Sequence, residues 1–93
     1  MKTLEEFLQL NKEQTDFLCS FFDSDIGEMV DYIDDKGIYL MDITAAINHY
    51  HVIPISREEF IKGMLKRAEK TIREEDAEYE IYKSIVVASG INI

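Results

Sequence analysis

Residues 55–73, ISREEFIKGMLKRAEKTIR, contain the strongest helix signal in the chain and decide the fold. Ser56 and Glu59 have the spacing of a capping box, in which each side chain accepts the backbone N–H of the other residue. Ile55 and Phe60 have the spacing of a hydrophobic staple around the same helix start. Apolar residues then recur every three or four positions, so the sequence predicts an amphipathic helix that begins after Ser56.

The length of this last helix has two interpretations. An unbroken helix over residues 57–88 would be roughly 48 Å long, whereas a globular domain of this size has a diameter of about 32 Å. A continuous helix would therefore project and expose an apolar stripe, which predicts an antiparallel homodimer. A break near residues 74–76 would instead fold the stripe back onto the core. The predicted self-association residues of the stripe are Ile72, Tyr79, Tyr82 and Val86.

Two further capping patterns lie near the N-terminus. Thr3 with Glu6, and Asn11 with Gln14, have the spacing of capping boxes that begin a first and a second helix. The polar residues 11–16 favour a break between these helices, and a single helix that runs through Asn11 is the alternative.

The middle of the chain predicts two more helices. Asp25 begins a third capping-box pattern, and the apolar residues between Ile26 and Ile33 have helical spacing. Gly37 is suited to the left-handed position that ends a helix, because it has no Cβ atom. Residues 38–41 predict an extended connector or a short strand, and a fourth helix is predicted from Asp42 to Tyr50.

These patterns predict an all-α fold, with four to six helices and a long or broken C-terminal helix. A chain of 93 residues has room for one core, so residues 1–93 are expected to form a single domain. The alternative is a small α+β domain with a short C-terminal strand, because residues 82–93 are rich in Ile and Val. That strand would pair with residues 38–41 or 52–55.

The composition excludes several classes of protein. One cysteine rules out an intramolecular disulfide framework and a cysteine-rich zinc site. No apolar run reaches the ~18 residues of a membrane span, and no secretory signal peptide is visible. We therefore expect a soluble, cytoplasmic protein.

The charge is strongly acidic and unevenly distributed, with a formal net charge of −9. Residues 1–55 hold eleven acids and three lysines, and residues 57–73 hold six bases and three acids. Residues 74–80 hold five acids and no base. Solvation alone is one explanation of such charge. The other is recognition of a partner with a basic surface, for which we select five aspartates: Asp23, Asp25, Asp31, Asp34 and Asp35.

The residues that carry chemistry in other proteins form no site here. His49 and His51 would point about 200° apart on a helix, so they do not converge on a metal. Cys19 follows an apolar stripe and is expected to be a buried, inert thiol. The acids near Asp34 fit no EF-hand register. We predict no catalytic residue, no cofactor and no metal site.

The sequence favours a non-catalytic protein-binding module, in its sharpest form an inhibitor or immunity-type protein that mimics nucleic acid. Its partner would be another protein with a basic surface, and direct binding to nucleic acid or membranes is not expected. The alternative is a helix-turn-helix-like transcriptional regulator that uses residues 43–73. Glu58 and Glu59 oppose that alternative, because they lie where a recognition helix meets DNA.

Overall fold

The computed structural model describes residues 2–22, 30–40 and 54–91. In these ranges the elements are, in order, α1 (Leu4–Leu8), α2 (Lys12–Cys19), β1 (Val30–Ile33), β2 (Ile38–Leu40), α3 (Arg57–Glu69) and α4 (Tyr79–Ser89). A mostly helical fold is thus confirmed, whereas the predicted all-α class omitted the two-stranded sheet. The predicted fourth helix, residues 42–50, lies outside the described ranges.

Both N-terminal capping boxes are present. The Thr3 hydroxyl accepts the backbone N–H of Glu6, and the Glu6 carboxylate accepts that of Thr3, each at 3.2 Å. Asn11 and Gln14 form the same reciprocal pair at 2.8 and 3.1 Å. Between them Gln9 has a left-handed backbone, with φ of 58°, and ends α1. The predicted break near Asn11 is therefore confirmed.

Helix α3 is the central element. It begins where predicted, with the Ser56 hydroxyl accepting the N–H of Glu59 at 3.2 Å, and it packs against α1, α2 and α4. Its apolar stripe is buried, including Phe60 at 3% exposure. The buried residues of α3 are Phe60, Ile61, Met64, Leu65 and Ala68.

The core draws apolar side chains from every element. Its members outside α3 are Phe7, Leu8, Leu10, Phe17, Leu18, Ile33, Ile38, Ile85 and Ile91. Among the described residues, Thr15 is the one polar side chain buried with them, and its hydroxyl has no hydrogen-bond partner there.

The last predicted helix is broken. Helix α3 ends at Glu69, α4 begins at Tyr79, and α4 folds back against α2 and α3. Asp76 explains the break locally, because its carboxylate accepts the N–H of Arg73 at 2.9 Å, a donor that a continuous helix would use. Ile85 is fully buried as a result. The continuous, projecting helix is therefore wrong, and the folded-back alternative is observed.

The predicted alternative of a C-terminal strand is also wrong for the described residues. Residues 79–89 are helical, and Gly90 ends the helix with a left-handed φ of 67°. Several of the Ile and Val residues that suggested a strand pack in the core from this helix: Ile85 is buried, and Ile81 and Val86 are half-buried against the core. Tertiary packing here overrides intrinsic strand propensity.

Residues 30–33, predicted as the end of the third helix, instead form strand β1. They pair antiparallel with β2, with Tyr32 opposite Tyr39 and Ile33 opposite Ile38. Ile38 also exchanges two backbone hydrogen bonds with Ile55, at 2.9 and 3.0 Å, immediately before α3. Residues 30–33 do not form the predicted helix, although their apolar spacing fits one. Pairing with β2 satisfies their backbone hydrogen-bonding groups, and it places Ile33 and Ile38 in the core. The short strand predicted within residues 38–41 is confirmed over Ile38–Leu40.

Gly37 belongs to the β1–β2 turn rather than to a helix end, which corrects its predicted role. Its φ is 155°, and a Cβ atom there would overlap the carbonyl oxygen of Ile55. The backbone of the segment before α3 thus occupies the space that a side chain would need. Glycine is required by this close approach as well as by the positive φ.

The two glycines Gly37 and Gly63 should respond oppositely to alanine. Gly37→Ala should lower the free energy of unfolding by about 1–3 kcal/mol, since the Cβ forces a shift at Ile55. Gly63→Ala should raise it by about 0.5–1 kcal/mol, because Gly63 is inside α3 and a Cβ there meets no atom within 4 Å. Urea denaturation measures both. Wild-type stability in Gly37→Ala would contradict the hairpin placement.

Candidate protein-binding surfaces

Asp34 holds the turn between β1 and β2. Its Oδ1 accepts the backbone N–H groups of Lys36 at 2.8 Å and Gly37 at 3.3 Å, and its Oδ2 accepts the Tyr39 hydroxyl at 3.3 Å. Burial, together with the Asp34 charge, raises the pKa of Tyr39. This predicted partner-binding carboxylate is therefore engaged within the hairpin.

Asp35, the next residue, remains accessible. Its Oδ1 lies 2.7 Å from the Lys2 ammonium, and its side chain is 89% exposed. The hydrogen bond and charge of Lys2 lower the pKa of Asp35, and Asp35 raises the pKa of Lys2 in turn. The N–H of Lys2 also binds the Ile33 carbonyl at 3.2 Å, which fixes the N-terminal segment beside β1.

The five aspartates predicted to bind a partner are thus only partly placed. Asp34 and Asp35 are adjacent at the hairpin turn, and Asp31 lies in β1. Asp23 and Asp25 lie outside the described residues. Within the described chain, the hairpin turn is the only part of this predicted surface that is assembled.

A second acidic surface, called here the acidic turn, consists of residues 74–80, which end the connection after α3 and begin α4. Glu74, Glu75 and Glu78 are exposed and make no ion pair with any described residue. Asp76 is used to hold the turn, and Glu80 lies 3.2 Å from the Lys83 ammonium. The sequence indicates this surface by a run of five acids without a base. The predicted partner-binding residues, however, were the five aspartates between residues 23 and 35.

Helix α3 carries a row of exposed lysines, Lys62, Lys66 and Lys70, at four-residue spacing. None of the three makes an ion pair within the described ranges. The predicted basic helix therefore has a lysine face, which is separated along the chain from the acidic turn by three residues.

Two arginines of α3 have structural partners instead. Arg57 Nε donates to the Leu8 carbonyl at 2.7 Å, and Arg67 Nη1 donates to the Phe21 carbonyl at 3.0 Å. Leu8 is the last residue of α1, and Phe21 lies two residues after the end of α2. Carbonyl groups at helix C-terminal ends lack partners within the helix. Arg57 and Arg67, counted from the sequence as solvated charge, therefore connect α3 to the N-terminal helices through hydrogen bonds.

Three of the four residues of the predicted self-association stripe pack against the core of the chain itself. Ile72, Tyr82 and Val86 are half-buried and pack against the core. Tyr79 stacks on Tyr82 with ring centroids 6.0 Å apart, and burial raises the pKa of Tyr82. The exposed stripe that motivated an antiparallel homodimer is absent from the described fold, so self-association stays a prediction without that support.

The residues with potential metal or redox chemistry remain isolated. Cys19 is half-buried, and burial, with the charge of Asp16, raises the pKa of its thiol to about 11. His49 and His51 lie outside the described residues. In the part of the chain that the structure describes, no three histidine, cysteine or acidic side chains are grouped so that they could hold a metal ion.

The two hairpin aspartates should differ in their effect on stability. Asp34→Ala removes the acceptor of two backbone N–H groups and should cost about 1–3 kcal/mol of unfolding free energy. Asp35→Ala removes an exposed ion pair and should leave stability unchanged within error. Denaturant titration of both variants measures the difference. Equal losses would show that Asp34 does not hold the turn.

Tyr82→Glu tests whether the C-terminal stripe packs within one chain. A carboxylate at this half-buried position should destabilise the protein by about 1–3 kcal/mol without changing its mass in solution. Val87→Glu on the same helix is the matched control, because Val87 is 82% exposed. Thermal melting and sedimentation equilibrium at ~100 μM measure both properties. A wild-type dimer that Tyr82→Glu converts to a stable monomer would restore the homodimer prediction.

The relation of this chain to known proteins gives no functional assignment. Comparison with protein-family models, with curated proteins and with solved structures finds no match. In the described residues, no helix combines the length and the apolar character needed to cross a membrane. The features that bear on function are therefore the two acidic surfaces, at the hairpin turn and at the acidic turn.

Proposed function

We propose that the protein is a small, acidic, non-catalytic module that binds a basic surface of another protein in the cytoplasm. In its sharpest form it is an inhibitor or immunity-type protein that covers a nucleic-acid-binding surface. The formal net charge of −9 supports this proposal, since charge complementarity speeds encounter with a basic partner and disfavours other partners.

The observation that carries the proposal is the acidic turn. Three of its five carboxylates, Glu74, Glu75 and Glu78, are exposed and make no ion pair with a described residue. Both flanking helices are anchored in the core, through Ala68 before the turn and Ile85 after it, each fully buried. The turn therefore presents negative charge from a fixed frame, as a nucleic-acid backbone presents phosphates.

The same charge argues against direct binding to nucleic acid. Binding to DNA gains free energy when cationic side chains replace counterions on the phosphates, and this chain has nine more acids than bases. An anionic membrane surface would repel the protein for the same reason.

The helix-turn-helix-like regulator is the alternative, and the lysine face of α3 favours it. Lys62, Lys66 and Lys70 could contact phosphates from one side of the helix. Against it, Glu58 and Glu59 are exposed in the first turn of α3, where a recognition helix approaches base edges. The first helix of such a motif would lie in residues that the structure does not describe.

Measured binding to DNA separates these two functions. We expect no measurable affinity of the protein for a labelled duplex at ~0.15 M salt in a fluorescence polarisation assay. Micromolar or tighter binding that weakens steeply with salt would favour the regulator.

Capture from a native lysate tests the acidic turn directly. The wild-type protein should retain a protein that the variant Glu74→Gln/Glu75→Gln/Glu78→Gln loses, and excess duplex DNA should displace it. The control variant Glu13→Gln/Glu58→Gln/Glu59→Gln removes the same charge elsewhere and should retain the partner. Equal capture by both variants would exclude the acidic turn as the binding surface.

A further inference from the structure

A shallow depression lies between the N-terminal segment and the β1–β2 hairpin. Its volume is about 250 Å³, and its lining residues are Lys2, Tyr32, Ile33, Asp34 and Asp35. At ~30 Å³ for each water molecule, this volume corresponds to about eight waters. A single long amino-acid side chain fits in such a space. The depression shares no residue with the acidic turn.

One wall of the depression is an exposed aromatic ring. Tyr32 is 46% exposed, one of two large hydrophobic side chains in the described residues with such exposure. The Tyr39 ring lies across the strand pair, 6.1 Å from the Tyr32 ring between centroids, and supports it from one side. The exposed part of the Tyr32 side chain offers an aromatic surface on which a ligand can stack.

The depression already binds a cation from its own chain. The Lys2 ammonium lies 2.7 Å from Asp35, and both side chains remain largely exposed, at 45% and 89%. Such an exposed ion pair is weak and exchangeable. Asp34 is not available for exchange, because its oxygens accept two backbone N–H groups and the Tyr39 hydroxyl.

We propose that this depression receives an arginine side chain of the partner protein, with the guanidinium stacked on Tyr32 and paired to Asp35 in place of Lys2. This inference rests on the proposed function, since it names the group that a basic partner inserts. A guanidinium is favoured over an ammonium because it is planar, stacks on an aromatic face and offers two parallel N–H donors to one carboxylate. Lys2 acts as an internal competitor that keeps the carboxylate paired until the partner arrives.

Titration of the isotope-labelled protein with N-acetyl-arginine amide, followed by NMR, tests the site. We expect chemical-shift changes centred on Tyr32, Asp35 and Lys36, and weaker changes with N-acetyl-lysine amide. Tyr32→Leu keeps the apolar bulk and removes the aromatic face, and it should weaken binding at least fivefold. Asp35→Asn should do the same, whereas Lys2→Gln should strengthen binding by removing the competitor.

Matched controls separate this site from general attraction to a negative protein. Tyr79→Leu removes a tyrosine that also neighbours acids, and Glu13→Gln removes one exposed charge away from both acidic surfaces. Both should bind the arginine probe as the wild type does. Wild-type affinity in Tyr32→Leu, or shifts centred on residues 74–80, would overturn the arginine site while leaving a partner of the acidic turn intact. Absence of any shift would overturn the arginine site alone, because lysate capture judges the proposed function separately.

Discussion

The packing of α3 against the N-terminal helices is the interaction on which the rest of this structure depends. One face of α3 supplies five buried side chains to the core. At its two ends, Arg57 and Arg67 donate to carbonyls that close α1 and the segment after α2, where positive charge is favoured by the helix dipole. Ile55, directly before α3, attaches the hairpin through Ile38. The position of each other element is thus defined relative to this helix.

The described acidic residues include two groups with different roles. Glu6, Asp34 and Asp76 accept backbone N–H groups and are therefore part of the fold. Glu74 and Glu75 are exposed and make no ion pair with the described residues, which leaves their charge to the solvent or to a partner. A count of charges along the sequence treats both groups alike, which explains why it located the acidic character of the protein but did not separate accessible carboxylates from those that hold the fold.

The sequence predicted best those features that are encoded within a few residues. The capping boxes at Thr3 and Asn11 and the start of α3 each depend on side chains three positions apart, and all three are observed. Strand β1 was missed because it depends on pairing with β2 across a turn, and apolar residues between 26 and 33 have helical spacing as well. The sequence did not decide between a continuous and a broken helix after α3, because the apolar spacing is interrupted only at Glu75 and then resumes. Asp76 is the local signal for that break, since an aspartate can take an N–H three residues before it.

The candidate site shows the same contrast between features that are encoded locally and features that depend on the folded structure. Asp34 and Asp35 were selected as equals from composition, but their roles depend on geometry that the sequence does not specify. The turn directs one carboxylate to backbone N–H groups and leaves the other at the surface with Lys2. The contribution of Tyr32 to this surface was missed altogether, because a tyrosine in a presumed helix gave no reason to consider an exposed strand face.

Cys19, half-buried at the end of α2, provides a native thiol whose reactivity depends on local opening of this helix. Burial raises the pKa of its thiol to about 11, so less of the thiol is thiolate at neutral pH than in an unperturbed cysteine. A thiol-specific reagent should therefore react faster whenever the end of α2 separates from the core, because the exposed thiol regains its ordinary pKa. The reaction rate then reports the opening equilibrium of α2, in the way that amide hydrogen exchange reports local unfolding. The native chain thus provides, without an added label, a kinetic measure of how firmly α2 is held against α3 and α4.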